Sequence, residues 1–275
     1  EKTIKLLDKF HGSPKAHIIG ITGPPGVGKS SMIDKLIKCL RKENFTVGII
    51  AVDPSSSESG GALLGDRTRF LLDPSDEGIF IRSMATKSYL GGVAELTYPS
   101  MIVMRSIFDF LIIETVGVGQ SEINIKQLAD TVILCVQPGS GDKIQFMKSG
   151  IFEISDIILL TKSDLEDLSN ITLSELLGSK EFFQSNSENW EIKIFQVSSH
   201  KNLGFKNLYE EILKRWDWLN KEKRLKRSRY LQDLEWIKNS IISEYGLNGL
   251  KKISDNINFS ECPFSHLNKL KKKIM

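Results

Sequence analysis

Eight residues, Gly23-Pro24-Pro25-Gly26-Val27-Gly28-Lys29-Ser30, combine the types and spacing with the most chemical content in this chain. Glycines at 23, 26 and 28 put no side chain between the backbone and an incoming anion, so successive N–H groups can turn inward and cradle a polyphosphate at a helix N-terminus. Pro24 and Val27 complete the cradle, and Ser31 follows it into the first helical turn. Lys29 can then reach the β- and γ-phosphates while the Ser30 hydroxyl ligates Mg²⁺. The spacing is that of a phosphate loop, Gly-x4-Gly-Lys-Ser.

Other residues complement that loop. Asp53 closes the apolar run 46–52, where a carboxylate can hold a metal directly or through water. Asp66 lies in a glycine-rich polar stretch, 60–69, beside Arg67 and Arg69, either of which could contact phosphate. Such a stretch suits a segment ordered by the γ-phosphate and Mg²⁺. Glu114 ends the run Phe110-Leu111-Ile112-Ile113, a buried strand carrying an acid at its carboxyl end in the Walker B manner. Gly117 then fits a pattern in which a backbone N–H touches the γ-phosphate, and Gln120 could orient an attacking water, although it lies further past the glycine than in Ras-like proteins. Thr161-Lys162-Ser163-Asp164 matches the guanine-specificity element Asn/Thr-Lys-x-Asp: the Asp accepts two hydrogen bonds that adenine cannot donate, and Lys162 lies along the base plane. Ser198-Ser199, after another apolar run, sits where guanine O6 would be supported from the backbone. GTP, then GDP, is the expected nucleotide.

Strands and helices must alternate to hold these residues. His17–Ile21, 46–52, 79–82, 110–113, 131–136, 157–160 and 192–197 read as short buried strands, and apolar positions Met32, Ile33, Leu36, Ile37 and Leu40 recur at helical spacing. The pattern predicts an α/β P-loop NTPase fold, a mostly parallel central sheet flanked by helices with a helical C-terminal appendage. Its predicted parts are an N-terminal helix (1–15), a nucleotide-binding domain (16–219) and a helical arm (220–275). A net charge of +3 excludes a strongly basic nucleic-acid binder. Cys39, Cys135 and Cys262 are dispersed, which suits buried reduced thiols in a cytoplasmic setting. No apolar run approaches the roughly 20 residues of a membrane span. The basic run Lys221 to Arg229 reads as a solvated helix face or a dimerising arm. Lys269 to Lys273 reads as a frayed basic tail.

Taken in order, Gly23–Ser30, Val52-Asp53-Pro54-Ser55-Ser56, Gly65-Asp66-Arg67-Thr68-Arg69, Leu90-Gly91-Gly92, Glu114–Glu122 and Pro138-Gly139-Ser140-Gly141-Asp142 resemble the MeaB/ArgK/MMAA family. The resemblance runs over about residues 15–205. It implies a SIMIBI-class GTPase that gates cofactor loading and protection of an adenosylcobalamin-dependent mutase of the methylmalonyl-CoA type. It further implies a homodimer, a mobile loop near 138–149 and a nucleotide and metal set of Lys29, Ser30, Asp53, Asp66, Glu114 and Asp164. Thr161 departs from the commoner Asn, and Lys143 stands where relatives more often have Glu. Three alternatives remain open: a kinase of the lysine/arginine/ornithine transport-associated type, a nickel-insertion GTPase, and a nucleotide-gated binding module that does not hydrolyse GTP.

Overall fold

The structure is a computed structural model describing residues 1–54, 70, 73, 75–86, 96–115, 125–139, 151–179, 190–253, 257 and 262–274. Seven strands, β1 (His17–Thr22), β2 (Val47–Pro54), β3 (Ile79–Thr86), β4 (Phe110–Thr115), β5 (Thr131–Val136), β6 (Ile157–Leu160) and β7 (Lys193–Gln196), form one sheet in the order β3-β2-β4-β1-β5-β6-β7. Every neighbouring pair is parallel. All seven carboxyl ends therefore lie along one edge, with β1 in the middle.

Alternate residues of the inner strands enter opposite cores, the consequence of a two-residue side-chain period, while the edge strand β3 leaves Phe80 and Arg82 exposed. Ile19, Ile21, Ile49, Ile112 and Ile133 face α2 (Lys29–Lys42) and α6 (Phe205–Asn220). Ile18, Ile50, Leu111, Ile113 and Val132 face α3 (Thr97–Ile107) and a single 3-10 turn, Ile125–Gln127. α1 is Lys2–His11, and the short α4 (Ile151–Ile154) and α5 (Glu166–Gly178) lie between strands. Strands filled on both faces must be apolar throughout, which is why they were visible as continuous runs in the sequence.

Two helices close the chain: α7 (Arg224–Ile253), with Gly246 at φ 65° interrupting its regular geometry, and α8 (Pro263–Ile274). Here two expectations need correcting. The residues Lys269 to Lys273 belong to a packed helix whose Phe264, Leu267, Leu270 and Ile274 are buried, so the segment is not a frayed tail. Arg229 likewise leaves the solvated face assigned to the basic run. Its guanidinium is buried and grips the Asp130 carboxylate with two bonds of 2.9 and 2.7 Å while donating to the Ala16 carbonyl at 2.8 Å.

Asp130 also accepts the Ile18 N–H at 2.9 Å, so one carboxylate ties α7 to the amino end of β1. Burial pushes that carboxyl up, but Arg229, His17 and the Ile18 N–H together outweigh it and hold the group below the usual range. Three residues on, Gln232 donates to the carbonyls of Lys126 and Ala129. Asp233 accepts from Tyr98 and lies 2.8 Å from His11 Nε2. This network occupies the amino-terminal side of the sheet, opposite the glycine loop. Of the cysteines, Cys135 is fully buried, its thiol pushed up to about 12 by burial, whereas Cys39 and Cys262 are partly exposed.

Candidate nucleotide site

The loop 23–28 leaves the carboxyl end of the central strand and turns directly into α2, because its glycines take backbone angles other residues resist. Gly23 has φ 139°, Gly26 φ 74° and Gly28 φ 96°. At Gly23 the reason is also spatial: a Cβ there would lie 2.3 Å from the Cys135 carbonyl oxygen. Gly28 caps α2 with no side-chain hydrogen bond, and the first turn of that helix holds no acidic residue. Helix N–H groups and the positive end of the dipole thus face the loop without a built-in anion.

Lys29 is buried and folded back on its own loop, its ammonium donating to the carbonyls of Gly23 at 2.6 Å and Pro24 at 2.9 Å. A polyphosphate would replace those neutral acceptors with anionic oxygens, which make stronger charge-assisted bonds. The Ser30 hydroxyl donates to Glu114 Oε1 at 3.3 Å, joining the helix start to the end of β4. Ser31 is exposed in the same turn. At Asp53 the backbone alone is described: it stands one residue past Val52, which pairs with Thr115, and so at the same edge.

Mg²⁺ fits this donor set. A hydroxyl and a carboxylate are hard oxygen donors, and this ion commonly takes one or two carboxylates with the rest of its shell from substrate phosphates and water. Among the described residues there is no group of three or more His, Cys, Asp or Glu able to hold a metal by themselves. A shared site of that kind needs none.

The residues 161–164, whose sequence matches a guanine-specificity element, sit on the adjoining strand ends. The Thr161 hydroxyl lies 2.7 Å from the Val27 carbonyl and 3.0 Å from that of Val136, sharing its proton between glycine loop and β5. The departure from Asn thus keeps a side chain that braces the phosphate loop. Lys162, at φ 51°, donates to the Gly26 carbonyl at 2.8 Å and to Gln137 Oε1 at 2.7 Å. Asp164 accepts the Ser198 hydroxyl at 2.6 Å, which holds its carboxyl below the ordinary carboxylate range. A carboxylate kept ionised is the acceptor that two guanine N–H groups need. Ser198 is pinned in turn by paired backbone bonds with Leu203, and Ser199 follows it into the same turn.

Lys29, Ser30, Glu114, Thr161, Lys162, Asp164, Ser198 and Ser199 therefore converge on one sheet edge. Asp66, Gly117 and Gln120 lie outside the described residues, as do Arg67, Arg69, Lys143 and nearly all of the two loops 57–69 and 138–149. Gln137 was not singled out from the sequence. Its place directly after a fully buried strand, opposite Thr161–Asp164, is the signal that could have found it.

A family model described as methylmalonyl-CoA mutase-associated GTPase MeaB matches residues 1–251. The chain belongs to the MeaB family. Like the rest of that family it is a GTPase, in agreement with the paired phosphate and guanine elements. A Pyrococcus abyssi protein carrying a provisional GTPase name is 41% identical over 250 residues, covering 88% of this chain and 77% of that one. The mitochondrial methylmalonic aciduria type A homolog of Mus musculus is 33% identical over 233 residues, covering 84% of this chain and 56% of that one. Among solved structures, a LAO/AO transport system kinase aligns with a TM-score of 0.67 at 24% identity, over 98% of this chain and 85% of that one. That likeness speaks for the fold alone. The MeaB reading of the motifs and the α/β P-loop architecture thus agree with the expectations set by the sequence.

Proposed function

We propose that this MeaB-family GTPase uses Mg²⁺·GTP to gate cofactor loading and protection of an adenosylcobalamin-dependent mutase of the methylmalonyl-CoA type. The observation that carries the nucleotide part is the bracing of the phosphate loop by the guanine element, Thr161 on Val27 and Lys162 on Gly26. Phosphate and base recognition are thereby one mechanical unit. The mutase is proposed from the family description and from the mouse relative's name. We also propose a homodimer working in the cytoplasm; among the described residues no helix is long and apolar enough to cross a membrane.

In the proposed mechanism the loop amides and Lys29 hold the phosphates, Asp164 accepts from guanine, and Ser30, Asp53, Asp66 and Glu114 would hold the metal. When bound, the metal neutralises charge that develops on the phosphate oxygens. Lys29 and the α2 N-terminus stabilise the same charge, and Gln120 orients the water for in-line attack. Gly117 senses the γ-phosphate, and the loops 57–69 and 138–149 pass the nucleotide state to the partner.

The deciding experiment measures phosphate release from GTP, with ATP as control, alone and with a candidate adenosylcobalamin-dependent mutase. GTP-selective turnover that accelerates with the mutase and disappears in Lys29→Ala is the expected result. Phosphate transfer to an acceptor other than water would move the assignment to a kinase, and indifference to every such mutase would remove the proposed partner.

A further inference from the structure

Lys162 has an exposed side chain, yet its ammonium is committed to two acceptors from different parts of the chain. One, the Gly26 carbonyl, belongs to the phosphate loop. The other, Gln137 Oε1, belongs to the first residue beyond β5. An exposed lysine normally keeps its four-carbon stem free and its head in water, since ordering so long a side chain costs rotamer freedom. Two hydrogen bonds of 2.8 and 2.7 Å, one to a side chain on another strand end, describe a side chain that is instead aimed.

The aim has a consequence for the base. Lys162 Cε passes 4.0 Å from where a Cβ on Gly28 would stand, so the stem lies over the loop that receives the phosphates. Asp164, two residues on, supplies the carboxylate for the edge of the base. A planar base seated on Asp164 would take the lysine stem along its face, and that stacking surface exists only while the ammonium is anchored.

Gln137 is itself well placed to anchor. It follows Val136, whose carbonyl accepts both the Thr161 N–H at 2.8 Å and the Thr161 hydroxyl at 3.0 Å. Two residues later the Gly139 N–H donates to Thr172 Oγ1 at 3.2 Å, fixing the chain on the other side of Gln137 to α5. The amide oxygen is therefore presented from backbone held on both flanks.

We infer that Gln137 is a positioning residue for guanine-nucleotide binding, acting through Lys162 by holding its ammonium between β5 and the phosphate loop. The inference rests on the guanine-site reading given above. Because GTP and GDP present the same base to Lys162, loss of Gln137 weakens both alike. Interactions made equally in ground and transition states appear in KM, not in kcat.

The test measures Kd for GDP and for ADP, and KM and kcat for GTP, in the wild-type chain and in Gln137→Ala, Gln137→Glu, Lys162→Met and the double variant Gln137→Ala/Lys162→Met. Gln137→Ala should raise Kd and KM about 3- to 10-fold, the scale of one lost hydrogen bond to a charged group at a partly exposed position, with the change carried by KM. Gln137→Glu keeps an acceptor and should restore binding to within about twofold of wild type. Lys162→Met should weaken binding by itself, and adding Gln137→Ala to it should change nothing further, since a residue acting through another has no effect once that other is gone. Additive losses in the double variant, a loss confined to kcat, or unchanged binding in Gln137→Ala would each overturn the inference. A wild-type chain with no preference for GDP over ADP would instead overturn the guanine-site reading itself.

Discussion

Gly23 shows how a single residue can be fixed twice. Its φ of 139° lies in a region that side chains resist, and a Cβ would meet the Cys135 carbonyl oxygen at 2.3 Å, a backbone atom in the middle of the sheet that cannot swing aside. Gly26, in the same loop at φ 74°, has nothing within 4 Å of its added Cβ. Gly26→Ala should therefore cost only the backbone strain, about 1–2 kcal/mol. Gly23→Ala should cost that strain and also a displacement of the loop from β5, so its melting temperature should fall by several degrees more. Thermal unfolding of both variants checks this, and equal losses would mean that β5 does not constrain the loop. The residue types of the loop were legible in the sequence because phosphate chemistry admits few substitutes. The resting position of Lys29 on its own loop and the reach of Thr161 to Val27 were not, since both depend on how far apart three strand ends stand.

Among the elements, the strands were the most legible, because a parallel sheet covered on both faces demands unbroken apolar runs. α7 was the least legible. Arg229, Gln232, Asp233, Trp236 and Ile237 follow helical spacing, but the buried face begins with an arginine, an amide and a carboxylate, so a rule that looks for apolar periodicity sees a solvated helix. The polar groups are buried because they meet Asp130, backbone carbonyls, Tyr98 and His11. The neighbouring His17 on β1 is stacked on Trp216 of α6 at 4.6 Å and bonded to Thr131 at 2.8 Å. Burial lowers its pKa to about 4, and Arg229 and Arg215 add to that against the opposing pull of Asp130 and Asp156. For a histidine whose folded value lies below its unfolded value of 6.5, the unfolded chain binds the proton first. Stability is therefore intact above pH 6.5 and falls as the pH drops from 6.5 toward 4. Between pH 7 and pH 5 this group should account for a loss on the order of 2 kcal/mol. Denaturant melts at the two pH values should show that loss in the wild-type chain and a correspondingly smaller one in His17→Asn. An equal loss in both would assign the acid sensitivity to other groups.

In the whole molecule the nucleotide edge and the C-terminal helices lie on opposite sides of one sheet, so the site is built on a platform whose underside is finished by α7 and α8. Arg229 neutralises a buried carboxylate that also holds the β1 backbone, and removing one partner of such a pair costs about 3–5 kcal/mol. Trp236 stacks on Tyr98 at 4.4 Å, with Phe264 of α8 4.9 Å from the same indole, and each large aromatic lost from such a cluster costs roughly 3–5 kcal/mol. Together these approach the whole stability of an ordinary domain, about 5–15 kcal/mol. A chain ending at Asn220 should therefore lose its cooperative thermal transition and become sensitive to limited proteolysis within the sheet, although every residue of the candidate nucleotide site is still present. If that truncated chain instead melted near the full-length temperature and still bound GDP, the helices after residue 220 would be a separable arm rather than the floor of the nucleotide-binding body. The burial of Arg229 and Asp130 argues for the first outcome: a carboxylate that orders the central strand cannot give up the guanidinium that grips it with two hydrogen bonds and keep that strand in place.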